Sequence, residues 1–162
     1  MHNVDENYPQ AKPVLYAMLA GQMRALLKGE RNLIANLANA SALLNTALSD
    51  INWVGFYLMT EGDLVLGPFQ GRIACVRIAM GKGVCGTVAA QDATQLVYDV
   101  HRFPDHIACD SDSNSEIVIP LHHAGRVAGV LDIDSPLVGR FDEQDRAGLE
   151  KIAHEIEQAC WS

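Results

Sequence analysis

Apolar positions recur at steps of three and four along the first third of the chain. Between residues 9 and 28 the stripe is Val14, Leu15, Met18, Leu19, Met23, Leu26 and Leu27, which predicts a helix that Gly29 stops. Residues 30–48 predict a second helix, with Leu33, Ile34, Leu37, Ala40, Leu43, Leu44 and Leu48 on a broad apolar face. After Ser49-Asp50 the period changes to two. Residues 52–59 predict a strand with Trp53, Gly55, Tyr57 and Met59 on one face and Val54, Phe56 and Leu58 on the other. The aromatics around Gly55 suit either a pocket wall or a core strand with a bulge. Glu61-Gly-Asp63 turns this strand into a return strand over residues 63–69.

Residues 75–78 predict a short strand, and the glycine-rich run Gly81-Lys-Gly-Val-Cys-Gly86 opens a short helix over 85–91. That run has neither Walker nor dinucleotide-binding spacing. Residues 94–98 predict another strand, and 99–115 a long irregular connection of the kind that is often functional. Residues 116–122 and 126–134 form a hairpin around His123-Ala-Gly125, which sets Glu116 across from residues about 132–134. Asp142 caps a last helix whose buried stripe is Leu149, Ile152, Ala153, Ile156 and Ala159. The order and the hairpin links predict an α+β domain, a central antiparallel sheet with helices packed on one side. One domain spans 1–162, with N-terminal helices about 9–48, a core about 51–141 and a C-terminal helix about 142–161.

The composition is that of an ordinary globular chain, 49% apolar and 20% charged. A net charge of −8 argues against nucleic acid or an anionic membrane as partner. No apolar run reaches the ~20 residues of a membrane span, and the N-terminus shows no signal peptide. The expected setting is cytoplasmic.

In that setting Cys75, Cys85, Cys109 and Cys160 are better candidates for catalysis than for structural disulfides. Their spacing matches no zinc knuckle. His101 and His106 lie near Cys109, but no paired-ligand spacing supports a metal site. Cys109 sits in a polar loop of small residues, where a thiol is reachable. Cys85 falls near a helix N-terminus, which favours a lowered thiol pKa. Cys160, almost at the chain end, reads as inert. The hairpin brings Glu116, Asp132 and Asp134 to one end of the sheet, beside the Cys109 loop. Crowded carboxylates repel, so at least one should have a raised pKa. The bland alternative is a solvated strand end.

Six blocks carry a further signal: Asn52-Trp-Val-Gly-Phe-Tyr57, Gly67-Pro-Phe-Gln-Gly-Arg-Ile-Ala-Cys75, Gly83-Val-Cys-Gly86, His106-Ile-Ala-Cys-Asp110, Ser113-Asn-Ser-Glu-Ile-Val118 and Gly129-Val-Leu-Asp-Ile-Asp-Ser135. Together they resemble the free methionine-(R)-sulfoxide reductases, which are single GAF-domain enzymes. The resemblance implies a GAF fold and thiol-dependent reduction of the free amino acid. It maps the nucleophile onto Cys109, the resolving thiol onto Cys85 and an assisting thiol onto Cys75. It maps the catalytic carboxylates onto Glu116 and Asp134. Trp53, Tyr57, Asp132, Ile107 and Ala108 become substrate-binding, with the indole N–H of Trp53 left as a donor. It also implies thioredoxin as reductant, a homodimer, and neither metal nor cofactor. The rival reading is a ligand-binding or redox-sensing GAF module without turnover.

Overall fold

The computed structural model describes residues 3–107 and 109–162. Helix α1 spans Lys12–Leu27 and α2 spans Leu33–Ala47. The first helix starts later than its apolar stripe suggests, with Pro13 in its first turn, where a missing N–H does no harm. Asn32 caps α2 by accepting from the Ala35 N–H at 2.9 Å. The strands are β1 Trp53–Thr60, β2 Asp63–Gly71, β3 Arg77–Ala79, β4 Gln95–Val97, β5 Ser115–His123 and β6 Arg126–Ser135. Helix α3, Gly83–Gln91, falls between β3 and β4, and α4, Glu143–Trp161, closes the chain.

The six strands form one sheet in the order β3-β2-β1-β6-β5-β4, antiparallel throughout. Two tight turns set its registers. Glu61 and Gly62 both have positive φ, as do Ala124 and Gly125, the pattern of a two-residue hairpin turn that matches strand twist. Asp142 accepts from the N–H groups of Gln144 and Asp145 while Asp145 accepts from the N–H of Asp142, a capping box at the start of α4. Asp145 also receives the Tyr16 hydroxyl at 2.7 Å and Lys12 Nζ at 2.7 Å, which ties α1 to α4.

Strand alternation divides the core in two. Val54, Phe56, Ile117, Ile119, Leu131 and Ile133 point towards α1, α2 and α4 and make the larger core. Trp53, Tyr57, Val118 and Val130 point the other way, where they meet α3 through Val84, Cys85 and Val88. The three long helices cover one face of the sheet, and the short α3 sits on the other. Among the described residues no helix is long and apolar enough to cross a membrane.

One expectation about β1 to β3 needs correction: the short strand placed at 75–78 begins only at Arg77, so Cys75 lies in a loop. Trp53 and Tyr57, the aromatics around Gly55, do line a cavity, but the space over Gly55 itself admits no ligand. It is filled by Phe69 of β2, whose Cβ an added Cβ at Gly55 would strike, and a bulge lies between Gly55 and Tyr57.

Candidate active site

The second face holds a cavity of about 40 Å³. Its wall is built by register. Glu116 pairs with Asp134 across β5 and β6, and Trp53 pairs with Asp134 across β1 and β6. Asp132 lies two residues before Asp134 and shares its face. The hairpin expected from the sequence therefore does gather three carboxylates. Trp53 stacks on Phe69, ring centroids 5.1 Å apart, and on Tyr57 at 6.0 Å. The opposite wall is the start of α3, with Cys85 4% exposed. The mouth is the connection between β4 and β5, through His106, Ile107, Cys109, Asp110 and Ser113.

Burial decides the protonation of this wall. Glu116 and Asp132 are each 6% exposed. Burial first, and the neighbouring carboxylates second, push Glu116 and Asp134 well above the ordinary carboxylate range. Burial raises Asp132 too, but contacts from Glu116, Cys85 and Asp134 offset part of that rise. The Asp132 Oδ1 is buried with no hydrogen-bond partner among the described residues. For Glu116 and Asp134, folding favours the neutral acid. Their contribution to stability is complete below the unfolded value near pH 4 and is lost as pH rises through the raised folded values. Glu116→Gln removes one such group. Its melting temperature relative to the parent should rise between pH 5 and pH 8, by about 2–4 °C for each kcal/mol that ionisation costs. Scanning calorimetry at the two pH values checks this, and a pH-independent difference would refute it.

The thiols depart from expectation. Cys109 is bonded to Cys75, Cα atoms 5.6 Å apart, and Cys85 is free. The resemblance placed the resolving thiol at Cys85 and an assisting thiol at Cys75; the disulfide partner of Cys109 in the structure is Cys75. Being near the start of α3 does not lower the Cys85 pKa. Burial and the charges of Asp132, Glu116 and Asp134 push it well above the ordinary thiol value. Cys160 lies apart, on α4, where burial pushes its thiol up to about 11.

Trp53 was expected to offer its indole N–H to a ligand. Instead it donates to the Arg72 carbonyl at 3.2 Å, leaving only the ring face for the cavity. The Tyr57 hydroxyl donates to the Cys75 carbonyl at 2.8 Å, so both aromatics brace the chain around Cys75. Ile107 packs its side chain on Gly83, where a Cβ would approach it to 3.1 Å. Ala108 lies outside the described residues. His101, His106 and Cys109 form no ligand set: His101 Nε2 is 3.0 Å from Asn114 Oδ1, and His106 Nε2 is 3.9 Å from Glu116 Oε2.

One part of the site had no signal in the sequence. Asn52 Nδ2 donates to Asp110 Oδ2 at 3.1 Å and to Ser113 Oγ at 3.0 Å. Arg72 adds ion pairs to Asp112 at 2.6 Å and Asp110 at 3.8 Å. The Asn52 contacts pin the Cys109 loop to the start of β1, and the Arg72 pairs pin it to the end of β2. The Asn52 contacts join residues 58 and 61 apart in the chain, and no local pattern links Asn52 to Asp110 or Ser113.

Residues 37–160 match the GAF domain family. The free methionine-R-sulfoxide reductase of Escherichia coli is 53% identical over 147 residues, covering 91% of this chain and 89% of that protein. The free methionine-R-sulfoxide reductase of Saccharomyces cerevisiae is 47% identical, covering 83% of this chain and 79% of its own length. The structure of the free methionine-R-sulfoxide reductase from Neisseria meningitidis, in complex with its substrate, is 43% identical with a TM-score of 0.94, covering 98% of this chain and 95% of that one.

Proposed function

Since the chain belongs to the family of GAF-domain free methionine-(R)-sulfoxide reductases, we propose that it reduces free methionine-(R)-sulfoxide to methionine by thiol chemistry. The observation that carries this is the Cys75–Cys109 disulfide at the mouth of a cavity walled by three carboxylates and Trp53. A reducing pair of thiols and a neutral acid are what sulfoxide reduction needs.

The reaction runs as follows. The Cys109 thiolate attacks the sulfoxide sulfur. A protonated carboxyl, Glu116 or Asp134, gives its proton to the sulfoxide oxygen; burial holds both well above the ordinary carboxylate range. The hydroxyl passes from the methionine sulfur to the Cys109 sulfur as the S–S bond between them breaks, so methionine leaves reduced and Cys109 is left as a sulfenic acid. The thiolate of Cys75 then attacks the Cys109 sulfur, the S–S bond forms and water departs. An external dithiol reduces the disulfide by exchange and is itself oxidised. Asp132 takes the substrate ammonium on its unpartnered oxygen. The faces of Trp53 and Tyr57 hold the S-methyl end, and Ile107 closes the mouth over it.

Cys75 serves here as the resolving thiol and Cys85 as a wall residue. The raised pKa of Cys85 makes its thiolate scarce, while Cys75 is already in bond. The reading keeps thioredoxin as the external dithiol and a homodimer, both from the resemblance, and the cytoplasmic setting expected from the sequence. Cys75→Ser should still release one methionine per reduced chain but lose most thioredoxin-driven cycling, by 10-fold or more (roughly, as loss of an activated nucleophile dictates). Cys85→Ser should cycle within a few-fold of the parent. Steady-state rates with thioredoxin and its reductase decide, and the opposite ranking would return the resolving role to Cys85.

The function itself is tested with the pure protein, a dithiol and each epimer of free methionine sulfoxide. Methionine should accumulate from the R epimer and not from the S epimer. Binding without turnover would favour a ligand-sensing GAF module instead.

A further inference from the structure

We infer that Cys85, Glu116 and Asp132 form a binding site for a thiophilic divalent cation, with Zn²⁺ as its probe, and that the cation excludes substrate from the cavity. The exclusion, though not the site, rests on the function proposed above.

Each of these three side chains can offer a donor atom within 4.8 Å of the others, and all three are buried. Among the described residues this is the only such set of His, Cys, Asp or Glu. The backbone holds it in place: Glu116 and Asp132 stand on adjacent strands of one hairpin, and Cys85 stands in the first turn of α3, packed against that face. A second observation points to a ligand independently. Asp132 is only 6% exposed, it lines the cavity, and its Oδ1 has no hydrogen-bond partner among the described residues. A buried lone pair without a partner is costly, and a cation satisfies it.

The donor set selects the cation. Calcium and magnesium prefer six or more oxygen ligands, whereas one thiolate with carboxylate oxygens suits a borderline-soft ion in tetrahedral coordination. The Cys85 thiol and the neutral Glu116 carboxyl must each give a proton to solvent on binding. None of the redox partners is required, because Cys85 remains free when Cys75 and Cys109 are joined. The cation site thus persists in the oxidised protein. Substrate ammonium and Zn²⁺ would both use Asp132, so they exclude each other.

The test uses the protein with its Cys75–Cys109 disulfide intact, which removes those two sulfurs as ligands. Zn²⁺ is titrated against a chromophoric chelator, and Cys85 alkylation is followed in parallel. The expected result is one ion per chain, with Cys85 protected from alkylation. Cys85→Ser and Asp132→Asn should each weaken binding by more than the ~10–100-fold that loss of an outer partner of a metal ligand causes. Cys160→Ser and His122→Ala should leave it unchanged. The second control matters because His122 already touches Asp92 at 2.5 Å and Glu157 at 3.0 Å. Binding that survives both Cys85→Ser and Asp132→Asn, or that leaves Cys85 open to alkylation, overturns the site. Should one variant fail to fold, protection of Cys85 in the parent still decides. Free methionine-(R)-sulfoxide should raise the apparent dissociation constant for Zn²⁺. Specific binding without that competition would uphold the cation site and overturn the placement of substrate on Asp132.

Discussion

Cys109→Ser should reduce methionine release from free methionine-(R)-sulfoxide by roughly 10⁴-fold or more, the scale on which loss of a covalent nucleophile acts. The measurement is a single turnover with pre-reduced protein and no added dithiol. The parent should yield one methionine per chain, and the variant none above background. The reason is positional. Cys75 and Cys109 both lie half-buried in loops, but of the two only Cys109 lines the cavity, with its neighbour Asp110 pinned by Asn52 and Arg72. Cys85 faces the same cavity but is buried against three carboxylates that hold its proton. A serine at 109 leaves the wall and its acids intact, so the loss reports the missing thiolate. Methionine release at anything near the parent rate would move the nucleophile to Cys75.

Acylating the substrate nitrogen should be nearly as damaging. N-acetyl-methionine-(R)-sulfoxide should react with a kcat/KM lower than that of the free amino acid by roughly 10⁴-fold, because a site built to pair a polar group rejects an analogue that lacks it. The buried Asp132 Oδ1 is the group left unpaired. The acyl group removes the ammonium charge and adds bulk next to a wall already packed by Val84, Cys85 and Ile78. An unpaired buried carboxylate is strongly destabilising. The comparison needs only the two substrates and one reductant. Equal values would show that the ammonium end lies open to solvent, and Asp132 would lose the role given to it.

Much of the site was visible before any coordinates. The period of two in 116–122 and 126–134, with a turn at Ala124-Gly125, was enough to oppose Glu116 to the pair of aspartates. The observed partner is Asp134. The alternation in β1 likewise put Trp53 and Tyr57 on one face, and both line the cavity. The six sequence blocks pointed to the GAF family. What was misread concerns contacts made by atoms far apart in the chain. The sequence leaves the Trp53 indole a free donor, but the Arg72 carbonyl, 19 residues on, takes it. Cys85 was given a lowered pKa from its helix position, yet the desolvation of a fully packed thiol outweighs the partial charge at a helix start.

The sequence by itself determined the secondary structure, the hairpin registers and therefore the three-carboxylate face. Those features follow from backbone periodicity and turn chemistry within about twenty residues, which a linear pattern records. Only the tertiary structure decided that Cys109 joins Cys75 over a separation of 34 residues, that Asn52 anchors the Cys109 loop, and that α3 covers the face opposite the long helices. Spacing alone leaves three cysteines with three possible pairings. The choice rests on which loops pack together, and that packing also sets the burial on which every protonation state in the cavity depends.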